Sequence, residues 1–116
     1  MGKRIALKTA GLTLGTMALI GSAPAFAFTA TTAGSKLTTQ GNEGHRYARV
    51  YDTSADSRSA KGEYNRQASP GETRNLWNSS GNGTVAKSGD GSKIIRGRAC
   101  RQEQWSPDSC GAWKAN

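Results

Sequence analysis

The sequence predicts an all-β domain: a small sandwich or partly open barrel of five to six short antiparallel strands, held by one disulfide. Three observations carry that expectation. From residue 44 onward, clusters of Gly, Ser, Asn, Asp and Pro recur about every eight to twelve residues, the spacing of turns between short strands. No window beyond residue 27 repeats apolar residues at helical spacing over about three turns. The chain also carries two cysteines, Cys100 and Cys110, downstream of an export signal, and oxidising compartments favour their pairing.

The export signal is the first element. Lys3, Arg4 and Lys8 make a positive opening, and residues 9–20 (TAGLTLGTMALI) make an uncharged apolar run. Ala25-Phe26-Ala27 then supplies a small-x-small cleavage site. The run is shorter than the roughly 20 apolar residues of a spanning helix. Cleavage is expected between Ala27 and Phe28, with Ala23-Pro24-Ala25 as a nearby second position. There is no lipid-attachment cysteine nearby and no apolar C-terminal tail. The product is therefore expected to be released: secreted, extracellular, monomeric and without a membrane span. Removing 27 of 116 residues leaves 89, one domain at most, with thirteen cations against eight acids and a net charge of +5.

Such a chain has little with which to build a core. Its Phe, Leu, Ile and Val residues are only Phe28, Leu37, Val50, Leu76, Val85, Ile94 and Ile95. That is far below the roughly 20% that separates folded from disordered compositions. Tyr47, Tyr51, Tyr64, Trp77, Trp105 and Trp113 are expected to supply the missing apolar area, at about 150–250 Å² each. A Cys100–Cys110 bond would add about 2.8 kcal/mol by loop-closure entropy. Use of the two cysteines as metal ligands finds no nearby His and no zinc-knuckle spacing.

Residues 28–43 (FTATTAGSKLTTQGNE) are small and polar, and are expected to form a flexible leader before a β domain spanning 44–116. HRYARVYD (45–52) alternates, and KGEYNR (61–66) is a second short run. SPGE (69–72) reads as a turn and TRNLWN (73–78) as a strand. Asn82-Gly83 and Asp90-Gly91, on either side of TVAKS (84–88), are two-residue hairpin signals. KIIRGRACR (93–101) is the longest candidate strand, and QEQWSPDSCGAWK (102–114) is a segment tied down by the disulfide.

Candidate chemistry is sparse. Asp52, Ser54, Asp56 and Glu63 fall at positions 1, 3, 5 and 12 of a calcium-loop spacing. Position 6, a glycine in that loop, is Ser57, and the flanks read as strands rather than helices. A hairpin capped by Asp52 and Asp56 through their own backbone fits better, so no metal is expected. Arg96 and Arg98 share one face of a strand, with Arg101 and Lys93 nearby. Together with Tyr47, Trp105 or Trp113 they are the candidate polyanion site, for nucleic acid, wall teichoic acid or anionic lipid. A solvated strand edge is the plainer reading. His45 is the only histidine, no Gly-x-Ser-x-Gly occurs, and the eight acids lack apolar settings. No catalytic residue and no cofactor are expected. The sequons at Asn78 and Asn82 read as turn residues.

Taken together, ARVYDTSADSRSAKGEY, RNLWNSSGNGT, SGDGSKI, RACR and PDSCGAW resemble the small exported proteins of filamentous actinobacteria. In those relatives the second Asp is usually followed by Gly, where this chain has Ser57. The resemblance implies a secreted single-disulfide β domain and no catalytic residues. SGDGSKIIRGRACR is also similar to the final hairpin of small actinobacterial all-β inhibitors of α-amylase. Those inhibitors have four cysteines and an exposed Trp-Arg-Tyr loop, against two cysteines and His45-Arg46-Tyr47 here. The expected role is therefore non-enzymatic binding at or outside the cell surface, to an anionic surface polymer or an extracellular protein. Inhibition of an amylase or protease is the alternative.

Overall fold

The computed structural model describes residues 27–115. The signal segment lies outside them, apart from Ala27 beside the expected cleavage point. The described residues form two antiparallel sheets with no α-helix and no closed barrel. Strands β1 (Ala27–Thr32), β2 (Ser35–Gln40), β3 (Arg49–Asp52) and β6 (Val85–Lys87) make the first sheet, in the order β1-β2-β3-β6. Strands β5 (Ser69–Asn78), β4 (Ala60–Arg66), β7 (Ile94–Arg101) and β8 (Ser109–Cys110) make the second, and β9 (Lys114–Ala115) also pairs with β7. All-β architecture and the Cys100–Cys110 bond are as the sequence predicts. The strands number nine among the described residues, rather than five or six.

Two corrections concern the chain's path. Residues 28–43 are not a flexible leader: most of them form the β1–β2 hairpin, turning at Ala33-Gly34, and they bury Phe28 and Leu37. Their threonines mask a period of two. Thr29 and Thr31 face outward while Phe28 and Ala30 face inward. The second correction is that Asn82-Gly83 and Asp90-Gly91 do not close hairpins. Both turns carry the chain between sheets, from β5 to β6 and from β6 to β7. The segment after Asp52 is likewise a crossing, from β3 to β4.

SPGE is not a turn between strands. It forms a bulge inside β5, where pairing jumps from Arg66–Ser69 to Asn65–Thr73. Proline is tolerated there because β5 is an edge strand. The Asn65 amide donates to the freed carbonyls of Pro70 and Glu72, at 3.2 and 3.0 Å.

The core is small: Phe28, Leu37, Ala48, Val50, Ala60, Tyr64, Ile94 and Ala99, with Leu76 against it. It is not built on tryptophan, contrary to the composition-based expectation. Trp77 is 45% exposed and Trp105 99% exposed. Close approach of the sheets compensates. A Cβ on Gly62 would lie 2.6 Å from Val50 Cγ2 and 3.0 Å from Leu37 Cδ1, and one on Gly97 would lie 2.5 Å from Leu37 Cδ2. The two glycines leave a notch in the inner face of the second sheet, and Leu37 fills it.

Polar side chains complete the join. Asn78, at the end of β5, is 2% exposed. Its amide donates to the carbonyls of Val50 and Thr84, both at 3.0 Å, and its oxygen accepts from Ser80 N–H and the Thr84 hydroxyl. Burial of this kind leaves no room for a glycan at the Asn78 sequon. Arg66, buried in β4, donates to the carbonyls of Arg46, Gly89 and Ser92 and so pins the β6–β7 connection.

Substituting Gly97→Ala or Gly62→Ala drives a methyl group into Leu37 or Val50. Each is expected to cost about 1–3 kcal/mol, read as a lower urea midpoint. Asn78→Ala takes one donor each from the buried Val50 and Thr84 carbonyls and is expected to cost about 1–3 kcal/mol in the same measurement.

Candidate functional site

Of the three arginines singled out as a polyanion site, two are occupied. Arg98 Nε donates to Glu63 at 2.8 Å. Arg101 bonds Glu103 at 2.9 Å and lies 3.6 Å from Asp56. Arg96 has no ion-pair partner among the described residues; its guanidinium stands 3.9 Å from the Trp113 ring centroid, with Arg98 at 4.8 Å. Antiparallel register explains the grouping. Glu63 faces Arg98 and Asn65 faces Arg96 on the outer face of the second sheet, and Lys61 lies in the same row as Cys100.

That outer face is a charge ladder. Lys61 bonds both Glu63 (3.0 Å) and Asp108 (2.5 Å), and sits 4.9 Å from the Trp77 ring. Burial alone would raise the Glu63 carboxyl, but hydrogen bonds from Lys61 and Arg98 outweigh it and hold the group below its ordinary value. One of its oxygens also lies within 4.8 Å of both cysteine sulfurs. The sulfurs are bonded to each other, so that cluster offers no thiolate to a metal.

The calcium spacing does not assemble. Asp52 accepts from Ser54 N–H at 3.2 Å and Asp56 from Arg58 N–H at 3.0 Å, so both aspartates cap their own loop, as the sequence suggests. Glu63 sits out in β4 between Lys61 and Arg98 instead of joining them. Ser57 nevertheless takes φ +59°, the left-handed conformation that glycine supplies in a calcium loop. The loop walls a polar cleft of about 360 Å³ together with Ser79 and Asn82.

His45 closes the connection from β2 to β3 with φ +55°, and its Nδ1 lies 2.8 Å from the Thr39 hydroxyl. No carboxylate hydrogen-bonds its ring among the described residues. Burial, with help from Lys93, pushes the imidazole below its ordinary value of 6.5.

No family model, curated protein or solved structure matches the chain.

Two features went unseen in the sequence. One is the outer face of the first sheet, where Lys36 stands 4.6 Å from the Tyr51 ring and Lys87 stands 4.3 Å from the Tyr47 ring. The only sequence signal for it is outward spacing in strands that the leader reading concealed. The other is the arc 102–108. Cys100–Cys110 closes its base. Glu103 bonds Arg58, Arg101 and the Ser109 hydroxyl, so the arc is braced from three sides. At its tip Trp105 is fully exposed with φ +64°. Nothing in the local sequence distinguishes this tryptophan from a buried one.

Neutral His45 favours the folded chain above pH 6.5, and that contribution is expected to fade as pH falls below 6.5. Glu43, Glu63 and Glu103 are held below their ordinary 4.5, so their contributions last to lower pH and are lost beneath 4.5. Thermal midpoints measured from pH 8 to pH 3 should therefore drop in two stages, and His45→Gln should remove the first. Ser57→Gly should raise stability by up to about 1 kcal/mol by relieving the left-handed backbone.

Proposed function

We propose that this chain is a secreted, non-enzymatic binding protein acting at or outside the cell surface, through charged and aromatic side chains on its open sheet faces. The observation that supports this most is the set of cations that stand over aromatic rings and have no ion pair among the described residues: Lys36 with Tyr51, Lys87 with Tyr47, and Arg96 with Trp113. Such pairs hold long cationic side chains in place over flat surfaces, a geometry suited to an extended anionic partner rather than a small enclosed substrate. The resemblance of its motifs to exported actinobacterial β domains supports the compartment. Passage of the purified, oxidised chain over anionic cell-wall material should give retention that weakens with added salt. Passage without retention at low salt would remove this reading.

A second reading rests on Trp105. A tryptophan wholly in water, with a strained backbone and a braced loop, is built like a hot-spot anchor whose ordering cost is already met before binding. On this reading the arc 102–108 enters a cleft of an extracellular amylase or protease. Stoichiometric inhibition in amylase and protease assays, lost in Trp105→Ala while the unfolding free energy stays within about 0.5 kcal/mol, would favour it over surface binding.

A further inference from the structure

The cations divide sharply once their partners are counted. Arg46, Arg49, Arg58, Lys61, Arg74, Arg98 and Arg101 each have a carboxylate partner. Arg66 is spent on backbone carbonyls. Among the described residues Lys36, Lys87, Lys93, Arg96 and Lys114 have no ion pair. Lys36 and Lys87 stand on one surface, the outer face of the first sheet.

The register defines that face. One row runs Thr31, Lys36, Tyr51, Val85 across β1, β2, β3 and β6, and the next runs Thr29, Thr38, Arg49, Lys87. None of these eight is acidic. Glu43, beside the face, is bidentate on Arg49 at 2.6 and 2.9 Å. The hydrogen bond from Arg49, helped by the charges of Lys87 and Arg46, holds Glu43 ionised to lower pH than usual; its ion pair is with Arg49, and neither lysine has one among the described residues. The second sheet differs. Its outer face carries Glu63 and Asp108 among Lys61, Arg96 and Arg98, and those carboxylates would repel a polyanion.

We infer that the outer face of the first sheet binds a linear polyol-phosphate polymer, with Lys36 and Lys87 contacting successive stretches of its phosphodiester backbone. This rests on the surface-binding reading and names its ligand and its face. The two lysines are two strands and one row apart, roughly 12 Å between Cα positions, so one extended chain crossing the sheet diagonally meets both. Chemistry chooses the polyol-phosphate over nucleic acid. Lys36 and Lys87 stand over the Tyr51 and Tyr47 rings, so those rings are not free platforms on which bases could stack. Beside Lys36, on β1, lie the exposed Thr29 and Thr31, whose hydroxyls suit the hydroxyls of a polyol. Lysine's compact ammonium reads phosphate as a point charge and needs no planar geometry.

The test uses immobilised poly(glycerol phosphate) and oligothymidylate, with binding of the exported, oxidised chain measured from about 50 to 200 mM salt. The expected result is binding to poly(glycerol phosphate) that falls with salt. The double variant K36Q/K87Q should lower affinity roughly tenfold and reduce the log–log salt slope by about 1.4. K36R/K87R should restore both, and R96Q/K114Q should change neither; circular dichroism of each variant checks that the sheets are intact. Unchanged binding by folded K36Q/K87Q overturns the inference, and loss of binding in R96Q/K114Q alone moves the site to the second sheet while the surface-binding reading survives. Tighter binding to oligothymidylate overturns the choice of polymer. Failure of the parent chain to bind either probe or wall material removes the broader reading as well.

Discussion

Leu37 of the first sheet enters a notch in the second, and the notch exists because Gly62 and Gly97 have no side chains. Most of the architecture depends on that contact. With so few aliphatic residues, the chain cannot fill an ordinary gap between sheets. It narrows the gap instead, so that Leu37, Val50 and Ile94, all fully buried, suffice as large aliphatic plugs. Close packing makes each such contact sensitive to a single methyl group. Three alanines, Ala48, Ala60 and Ala99, line the same interior and keep the separation short.

Where apolar area runs out, hydrogen bonds finish the join. Asn78 couples the end of β5 to the β3 backbone, and Arg66 gathers three carbonyls beneath the β6–β7 connection. Both side chains bridge between sheets, in the places where a larger domain would place leucine. Buried polar groups of this sort are safe only when their partners are in place, and here they are supplied from distant parts of the chain. The disulfide acts at the other end, joining β7 directly to β8 and closing the base of the arc that presents Trp105.

The same economy decides what the surface can offer. Glu63, Glu103 and Asp108 are drawn into ion pairs that tie the outer face of the second sheet and the C-terminal arc together. Arg98 and Arg101 are therefore structural ties rather than free charge. Lys36 and Lys87, one in a segment that reads as unstructured and the other at the end of a three-residue strand, keep their charge for solvent or a partner.

Much of the fold was legible in the chain. KGEYNR, TRNLWN, TVAKS and KIIRGRACR all contain strands, since alternation and turn chemistry act over a few residues. The pairing of Cys100 with Cys110 followed because no other partner exists in the sequence. The β1–β2 hairpin was hidden because threonine outward and alanine inward carries almost no hydropathy contrast, although Leu37 proved central. Asn-Gly and Asp-Gly signalled turns correctly but could not say whether the chain turned back in its own sheet or crossed to the other. Residue type and local spacing thus determined the β class, several strands and the sulfur pairing, because those follow from backbone geometry and neighbours along the chain. Only the tertiary structure decided which strands share a sheet, which tryptophans stay in water and which cations remain unpaired, because each depends on groups that meet across the sandwich from remote positions.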